Sequence, residues 1–136
     1  AEAQQVLVSR LRDKIGTHAH EIAEYEEFLL EDADVVVVAY GITSRCVRQA
    51  VEEARQEGIK AGLLRLVTAW PFPSWRIKEL ATQAKAFVVP EVNFGQMVHE
   101  VERAAGSTTR TVFVQYPPGE MPHPHRTLKA IREVAK

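Results

Sequence analysis

The sequence predicts a three-layer α/β/α domain, in which helices cover both faces of a mainly parallel sheet of about four strands. Short apolar runs of strand length alternate with segments whose apolar residues recur at helical spacing. One run, Val-Val-Val-Val-Ala-Tyr at residues 35–40, is typical of a strand that is covered on both faces in a parallel sheet. At 136 residues, of which 46% are hydrophobic, the chain is long enough for one such domain with its own core.

The first 34 residues are predicted to be helical. Leu7, Leu11 and Ile15 form an i, i+4, i+8 stripe, and Gly16 is a weak point within the segment. Its second half is acidic, which is most simply a solvated face. We therefore expect an N-terminal helical segment over residues 1–34 and the α/β domain over residues 35–136.

Three further strands and four helices are predicted after residue 40. The strands cover residues 59–67, 86–89 and 111–116. The helices cover residues 44–57, a segment that begins at Ser74, a segment that carries Met97 to Ala104, and a last segment that begins at Pro124. Thr43 or Ser44 is available as the N-cap of the first of these helices. Because each crossover between parallel strands must be right-handed, we expect the four strands in the spatial order 2-1-3-4.

In that order the winding direction reverses between the first and third strands, and ligands of open α/β sheets favour the crevice at the carboxyl ends of such strands. The loops expected there supply the candidate interface or ligand residues, which are Gly41, Thr43, Ser44, Arg45, Trp70, Phe72, Glu91, Asn93, Gly95 and Gln96. Residues 41–45 at a helix N-terminus are a plausible seat for a phosphate or carboxylate. A structural role is the favoured alternative, with Gly41 in the turn, a hydroxyl as N-cap and Arg45 paired with an acid. Asn93 is also a good N-cap for the helix that follows it.

Composition and motifs exclude several classes of function. The 17 basic and 18 acidic residues give a net charge of −1, which argues against nucleic acid or an anionic membrane as a partner. The chain has neither an apolar run of about 20 residues nor a secretory signal, so we expect a cytoplasmic protein. The dinucleotide fingerprint and the Walker loop are absent. No catalytic residue and no metal site is predicted, because the histidines lack a third ligand and no nucleophile has an adjacent base.

Four segments carry a resemblance to one family. They are Val-Val-Ala-Tyr-Gly-Ile-Thr-Ser-Arg at 37–45, Glu-Gly-Ile-Lys-Ala-Gly-Leu-Leu-Arg at 57–65, Trp-Pro-Phe-Pro at 70–73 and Val-Pro-Glu-Val-Asn-Phe-Gly-Gln at 89–96. Together they resemble the C-terminal domain of the α subunit of 2-oxoacid:ferredoxin oxidoreductases, most closely the 2-oxoglutarate type. That resemblance implies the transketolase C-terminal-domain fold.

The resemblance also implies an activity of the whole complex, which is oxidative decarboxylation of a 2-oxoacid to an acyl-CoA with reduction of ferredoxin. The implied cofactors of the complex are thiamine diphosphate, magnesium, iron–sulfur clusters and coenzyme A. The implied partners are the β and γ subunits, a ferredoxin-like δ subunit, and ferredoxin itself.

This chain does not carry the residues for that chemistry. A single cysteine cannot ligate a four-cysteine cluster, and the Gly-Asp-Gly…Asn motif for thiamine diphosphate and magnesium is absent. We therefore expect a structural or subunit-interface domain that binds no cofactor alone, with Trp70 and Phe72 as apolar anchors. Two alternatives stay open, a stand-alone flavodoxin-like module with a phosphate-bearing ligand at residues 41–45, and a thiol enzyme that uses Cys46.

Overall fold

A computed structural model describes all of residues 1–136 as a five-stranded sheet with six helices. The strands are β1 (Tyr25–Phe28), β2 (Val35–Tyr40), β3 (Ala61–Leu66), β4 (Ala86–Glu91) and β5 (Arg110–Gln115). The helices are α1 (Glu2–Gly16), α2 (Ala19–Ile22), α3 (Thr43–Gln56), α4 (Ser74–Ala81), α5 (Met97–Ala105) and α6 (Pro124–Ala135). None of these helices combines the length and the apolar character that a membrane crossing needs.

The sheet has the order β1-β3-β2-β4-β5. Strands β2 to β5 are parallel, so the predicted order 2-1-3-4 is confirmed for the four predicted strands. The three-layer architecture is also confirmed, because α3 and α6 pack on one face and α4 and α5 on the other. A fifth strand, β1, adds an antiparallel edge next to β3.

Strand β1 corrects the prediction of continuous helix over residues 1–34. Helices α1 and α2 do form, but Tyr25–Phe28 pairs with β3 in the register Tyr25 to Leu66 and Phe28 to Leu63. The acidic residues of this strand are held by arginines, since Glu26 pairs with Arg65 at 2.8 Å. The division of the chain at residue 34 stays a prediction, and β1 places part of the first segment within the sheet.

Two apolar cores lie on the two faces of the sheet. Because successive side chains of a strand point to opposite faces, β2 contributes Val36 and Val38 to one core and Val35 and Val37 to the other, and all four are fully buried. Helix α1 contributes no buried residue to either core. The apolar stripe predicted on α1 therefore stays largely exposed, with Leu11 59% accessible.

The hydrogen-bonded register between β2 and β4 is short. It joins Val35 to Ala86, Val36 to Phe87 and Val37 to Val88, and it stops before the carboxyl ends of the two strands. Pro90 in β4 has no N–H with which to extend the ladder. Strands β2 and β4 flank the topological switch point, where the winding direction of the sheet reverses. Their carboxyl ends are joined by side chains and not by the backbone ladder.

Candidate functional site

The switch point is filled by the buried carboxylate of Glu91, the last residue of β4. Glu91 is fully buried, and its side chain accepts hydrogen bonds from Tyr40 Oη at 3.1 Å and Asn93 Nδ2 at 2.9 Å. It also accepts from the backbone N–H groups of Met97 and Val98, each at 2.9 Å. These two groups begin α5, so Glu91 satisfies donors that a helix N-terminus otherwise leaves unpaired.

The same contacts fix the protonation state of Glu91. Burial raises the pKa of this carboxyl, but hydrogen bonds from Met97, Asn93, Val98 and Tyr40 outweigh burial, so the pKa lies below its ordinary value. Burial and the nearby Glu91 charge raise the pKa of Tyr40. The pair is therefore an anionic acceptor and a neutral donor. With its lone pairs engaged, Glu91 is arranged to hold the loop rather than to exchange protons.

The loop after β4 is shaped by Asn93 and Gly95. Asn93 Oδ1 accepts a hydrogen bond from the N–H of Gly95 at 2.7 Å, and Gly95 has a φ of +96°, a conformation that favours glycine. Helix α5 begins at Met97 with Gln96 in the N-cap position, so the interpretation of Asn93 as an N-cap is wrong. The carboxylate of Glu91 accepts the hydrogen bonds from the first N–H groups of α5. The side chain of Asn93 instead closes the turn between β4 and α5.

The loop after β2 also uses its hydroxyls internally. Thr43 Oγ1 donates to the carbonyl of Tyr40 and Ser44 Oγ to that of Gly41, each at 2.6 Å. Ile42 is the N-cap residue of α3 and makes no side-chain cap, so the prediction of Thr43 or Ser44 as N-cap is wrong. Because both hydroxyl groups donate their protons to backbone carbonyls, neither can donate a hydrogen bond to an anion bound in this loop.

Arg45 and the two predicted anchors differ in exposure. Arg45 is exposed and has no carboxylate partner, so the alternative in which it pairs with an acid is not realised. Phe72 is 6% accessible and packs in the core with α4 and α5. Trp70 is 71% accessible. The surface role expected of both aromatic residues is therefore open to Trp70 alone.

Large exposed apolar side chains follow every parallel strand on its carboxyl side. We call this set the apolar edge, and it comprises Ile42, Val67, Trp70, Phe94 and Met121, with accessibilities of 58%, 46%, 71%, 84% and 76%. Apart from Trp70, sequence reasoning missed these residues, because periodicity does not report the exposure of a loop residue. The available signal was their position, since each lies in a loop directly after a strand.

Cys46 is half-buried and donates to the carbonyl of Thr43 at 3.3 Å. Burial raises the pKa of its thiol, and hydrogen bonding to Tyr116 only partly offsets that effect. A raised pKa lowers the thiolate fraction at neutral pH, so the environment does not activate a nucleophile.

We expect Cys46 to react with iodoacetamide several-fold more slowly at pH 7.5 than the thiol of an unfolded control of the same chain in urea. Mass spectrometry of timed samples measures both rates. The difference should narrow as the pH rises, because the folded thiol titrates later than the unfolded one. A folded-state rate above the unfolded one would restore the thiol-enzyme interpretation.

No group of three or more His, Cys, Asp or Glu side chains converges to hold a metal ion. His123 has a local role, as its Nδ1 accepts from the N–H of His125 at 3.3 Å and caps α6. His20 stacks on Trp75 with ring centroids 3.7 Å apart. The lone Cys46 also cannot supply the four thiolates of an iron–sulfur cluster, so such a cluster does not fit this chain alone.

The geometry defines a class of open α/β domain whose switch point is closed by its own hydrogen bonds and whose carboxyl edge is apolar. A family model described as pyruvate:ferredoxin oxidoreductase core domain II matches residues 33–127. The chain belongs to this family.

Two curated relatives agree with that assignment. The chain is 38% identical over 130 residues to 2-oxoglutarate synthase subunit KorA of Methanothermobacter marburgensis, a match that covers 96% of this chain and 35% of the relative. It is 43% identical over 125 residues to ketoisovalerate oxidoreductase subunit VorB of Methanothermobacter thermautotrophicus, which covers 92% and 35%. The chain therefore spans about a third of the length of these relatives.

Two solved structures share the fold. One is a 2-oxoglutarate:ferredoxin oxidoreductase from Magnetococcus marinus with 2-oxoglutarate, coenzyme A and succinyl-CoA bound, with a TM-score of 0.83 and 25% identity over 100% of this chain and 24% of that one. The other is a split-gene transketolase, an inactive β4 tetramer, with a TM-score of 0.71 and 21% identity over 82% of this chain and 41% of that one. The transketolase-like fold and the resemblance to 2-oxoacid:ferredoxin oxidoreductases are confirmed.

Proposed function

We propose that this chain serves as a structural domain of a 2-oxoacid:ferredoxin oxidoreductase subunit, and that its apolar edge docks against another domain or subunit of the complex. The proposed activity of the complex is oxidative decarboxylation of a 2-oxoacid to an acyl-CoA with transfer of electrons to ferredoxin. Thiamine diphosphate, magnesium and iron–sulfur clusters would then be held outside these 136 residues. A cytoplasmic location stays a prediction.

The observation that carries the proposal is the apolar edge. Scattered exposed apolar residues are ordinary on a protein surface, but a set collected along one edge of the sheet suits an interaction surface. Here each of the four parallel strands is followed by at least one such residue. The largest is Trp70, and tryptophan is enriched among the residues that dominate binding energy at interfaces.

The internal closure of the switch point supports a structural role. In an open α/β sheet this crevice is where ligands bind, but here Tyr40, Glu91 and Asn93 fill it with hydrogen bonds to one another. The hydrogen bonds also hold the loop that presents Phe94. The residues that fill the crevice thus position part of the apolar edge. The chemistry on the substrate is assigned to other parts of the complex.

The relatives support a domain that does not select the substrate. Two proteins of similar identity to this chain are named for 2-oxoglutarate, whose side chain carries a carboxylate, and for ketoisovalerate, whose side chain is apolar. A domain that recognised the substrate side chain would be expected to diverge between them. We therefore leave the particular 2-oxoacid open.

The activity is tested by depletion of native extract. An antibody against this domain should remove coenzyme-A-dependent reduction of methyl viologen by one 2-oxoacid, with 2-oxoglutarate and pyruvate as the first substrates assayed. Loss of one activity identifies the complex and its substrate. Survival of every 2-oxoacid activity after complete depletion would contradict the proposed function.

The docking role of the apolar edge is tested by the Trp70→Ala substitution in the tagged full-length subunit, expressed in its native host. Truncation of a large aromatic anchor should weaken association with the other subunits at least tenfold, because such anchors contribute about 2 kcal/mol or more. Native mass spectrometry of the purified complex, together with size-exclusion chromatography over a dilution series, measures this loss. The melting temperature of the isolated domain should stay nearly unchanged, since Trp70 is 71% accessible.

Leu29→Asn is the matched control for this experiment. Leu29 is 43% accessible, but it follows the antiparallel strand β1 and therefore lies near the amino ends of the parallel strands, away from the apolar edge. Asparagine tolerates the φ of +55° at this position. Association should be unaffected in this variant. If Trp70→Ala and Leu29→Asn assemble equally well, the apolar edge is not the docking surface, whatever the activity of the complex.

A further inference from the structure

A second surface lies beside the switch point, between the exposed face of β1 and β3 and the first turns of α3. It is a groove of about 390 Å³, within the range of roughly 300–1,000 Å³ that ligand sites occupy. Three arginines line it, Arg45 and Arg48 from α3 and Arg65 from β3. We call it the arginine groove.

The two carboxylates that line the groove already have cationic partners. Glu27 is held by both Arg76 Nε at 2.6 Å and Arg76 Nη2 at 3.0 Å, from α4 outside the groove. Glu26 accepts one hydrogen bond from Arg65 Nη1 at 2.8 Å. The acidic residues therefore leave most guanidinium donors of the groove unused.

The three arginines are unequally compensated. Arg48 approaches Glu52 at 3.4 Å and lies over the ring of Phe28, with its guanidinium carbon 4.2 Å from the ring centroid. Arg65 uses only Nη1, and its Nε is buried without a hydrogen-bond partner. The guanidinium of Arg45 makes no hydrogen bond and no ion pair with any side chain of the chain. The Arg65 side chain as a whole is 42% accessible, so its guanidinium reaches the groove although Nε itself is enclosed.

We propose that the arginine groove binds a compact oxyanion, the phosphoryl or carboxylate group of a small molecule. Guanidinium groups match the bidentate geometry of these anions, and the N-terminus of the 14-residue α3 adds a favourable dipole. Glu26 and Glu27 occupy one border of the groove, so the cluster of arginines is small and suits a short charged group better than an extended polyanion. The groove includes Ser44 and Arg45 of the loop at residues 41–45, and because the loop hydroxyls already donate to the backbone, guanidinium groups supply the donors for the anion.

The test is a titration of the ¹⁵N-labelled chain followed by amide NMR shifts, with inorganic pyrophosphate, citrate and sodium chloride at matched ionic strength. Pyrophosphate probes a phosphoryl ligand and citrate a carboxylate ligand. We expect saturable shifts at the amides of residues 44–48 and of Arg65 with at least one of the two anions. The tighter of the two identifies the class of ligand.

Arg45→Gln is the decisive variant, because Arg45 has no intramolecular partner whose loss could disturb folding. The affinity of this variant for the anion that binds the wild type should fall roughly tenfold, because one charge-assisted hydrogen bond is lost. Arg110→Gln is the control, since Arg110 is also exposed but lies on β5 at the far edge of the sheet. Its affinity should not change.

Three results would overturn the proposal, namely the same shifts with sodium chloride, no saturation with either anion, or an equal loss of affinity in the two arginine variants. Each is measured on the isolated chain, whereas docking and activity are measured on the complex. A failure here therefore leaves the proposed function untouched, and a failure there leaves the groove untouched.

Discussion

Replacement of Glu91 by glutamine is expected to destabilise the domain by about 3 kcal/mol and to lower its melting temperature by roughly 10 °C. Glutamine has nearly the same shape, but it carries an NH₂ group where the carboxylate has an acceptor. That group would face the Tyr40 hydroxyl and the N–H of Met97 in one orientation, and the N–H of Val98 in the other. At least one buried donor is then left unpaired, and the negative charge at the N-terminus of α5 is lost.

Urea unfolding followed by circular dichroism measures this effect, with Glu102→Gln as the control. Glu102 lies on α5, the helix that Glu91 caps, but it is exposed and pairs only with His99 at 3.2 Å. Its replacement should change the free energy of unfolding by no more than about 0.5 kcal/mol. Equal effects of the two substitutions would show that the Glu91 network adds no stability.

The contribution of Glu91 depends on pH in a defined direction. Its pKa is lower in the folded state than in the unfolded state, so the unfolded chain binds the proton first as the pH falls. The stabilisation is complete above the unfolded value of about 4.3 and is lost as the pH drops through the lower folded-state pKa. The stability difference between the wild type and Glu91→Gln should therefore be constant near neutral pH and shrink in acid below that value.

The four parallel strands were predictable because they are buried on both faces. A strand such as β2, with five buried residues out of six, must be a continuous apolar run, and such a run is visible in any sequence. Right-handed crossovers then leave little choice of order. Edge strand β1 could not be found in this way, because only Tyr25 and Phe28 of its four residues are apolar. Its two glutamates are exposed, as is common on an edge strand, and they pair with Arg65 and Arg76, which lie far along the chain.

The candidate site was predictable in position but not in its contacts. Strand ends and helix starts placed Glu91, Asn93, Thr43 and Ser44 at the switch point, and all four lie there. Which donor meets which acceptor depends on side-chain distances that no spacing rule gives. A hydroxyl at a helix start can cap the helix or donate to a carbonyl three residues earlier, and the chain uses the second option twice.

Replacement of Gly62 by alanine is expected to cost about 2–3 kcal/mol, although alanine fits a β-strand and the change adds a single methyl group. A Cβ atom at Gly62 would lie 2.5 Å from the carbonyl oxygen of Leu29 and 2.7 Å from Leu30 Cδ2. The Leu29 carbonyl is not free to move, because it accepts a hydrogen bond from Arg55 Nη2 at 2.8 Å. Arg55 is itself fixed by Ala61, whose carbonyl accepts from its Nε at 2.6 Å.

Gly16→Ala is the matched control, because a Cβ atom at Gly16 would meet no other atom within 4 Å, and Gly16 ends a helix with no buried residue. Its free energy of unfolding should change by less than about 0.5 kcal/mol. Chemical unfolding of both variants at the same pH provides the comparison. If Gly62→Ala is as stable as Gly16→Ala, the connection between β1 and β2 yields easily, and Arg55 does not anchor it. The expected loss of stability would instead show that the loop after β1 packs against the sheet only where Gly62 leaves room for it. The antiparallel strand that the sequence did not reveal thus depends on this glycine.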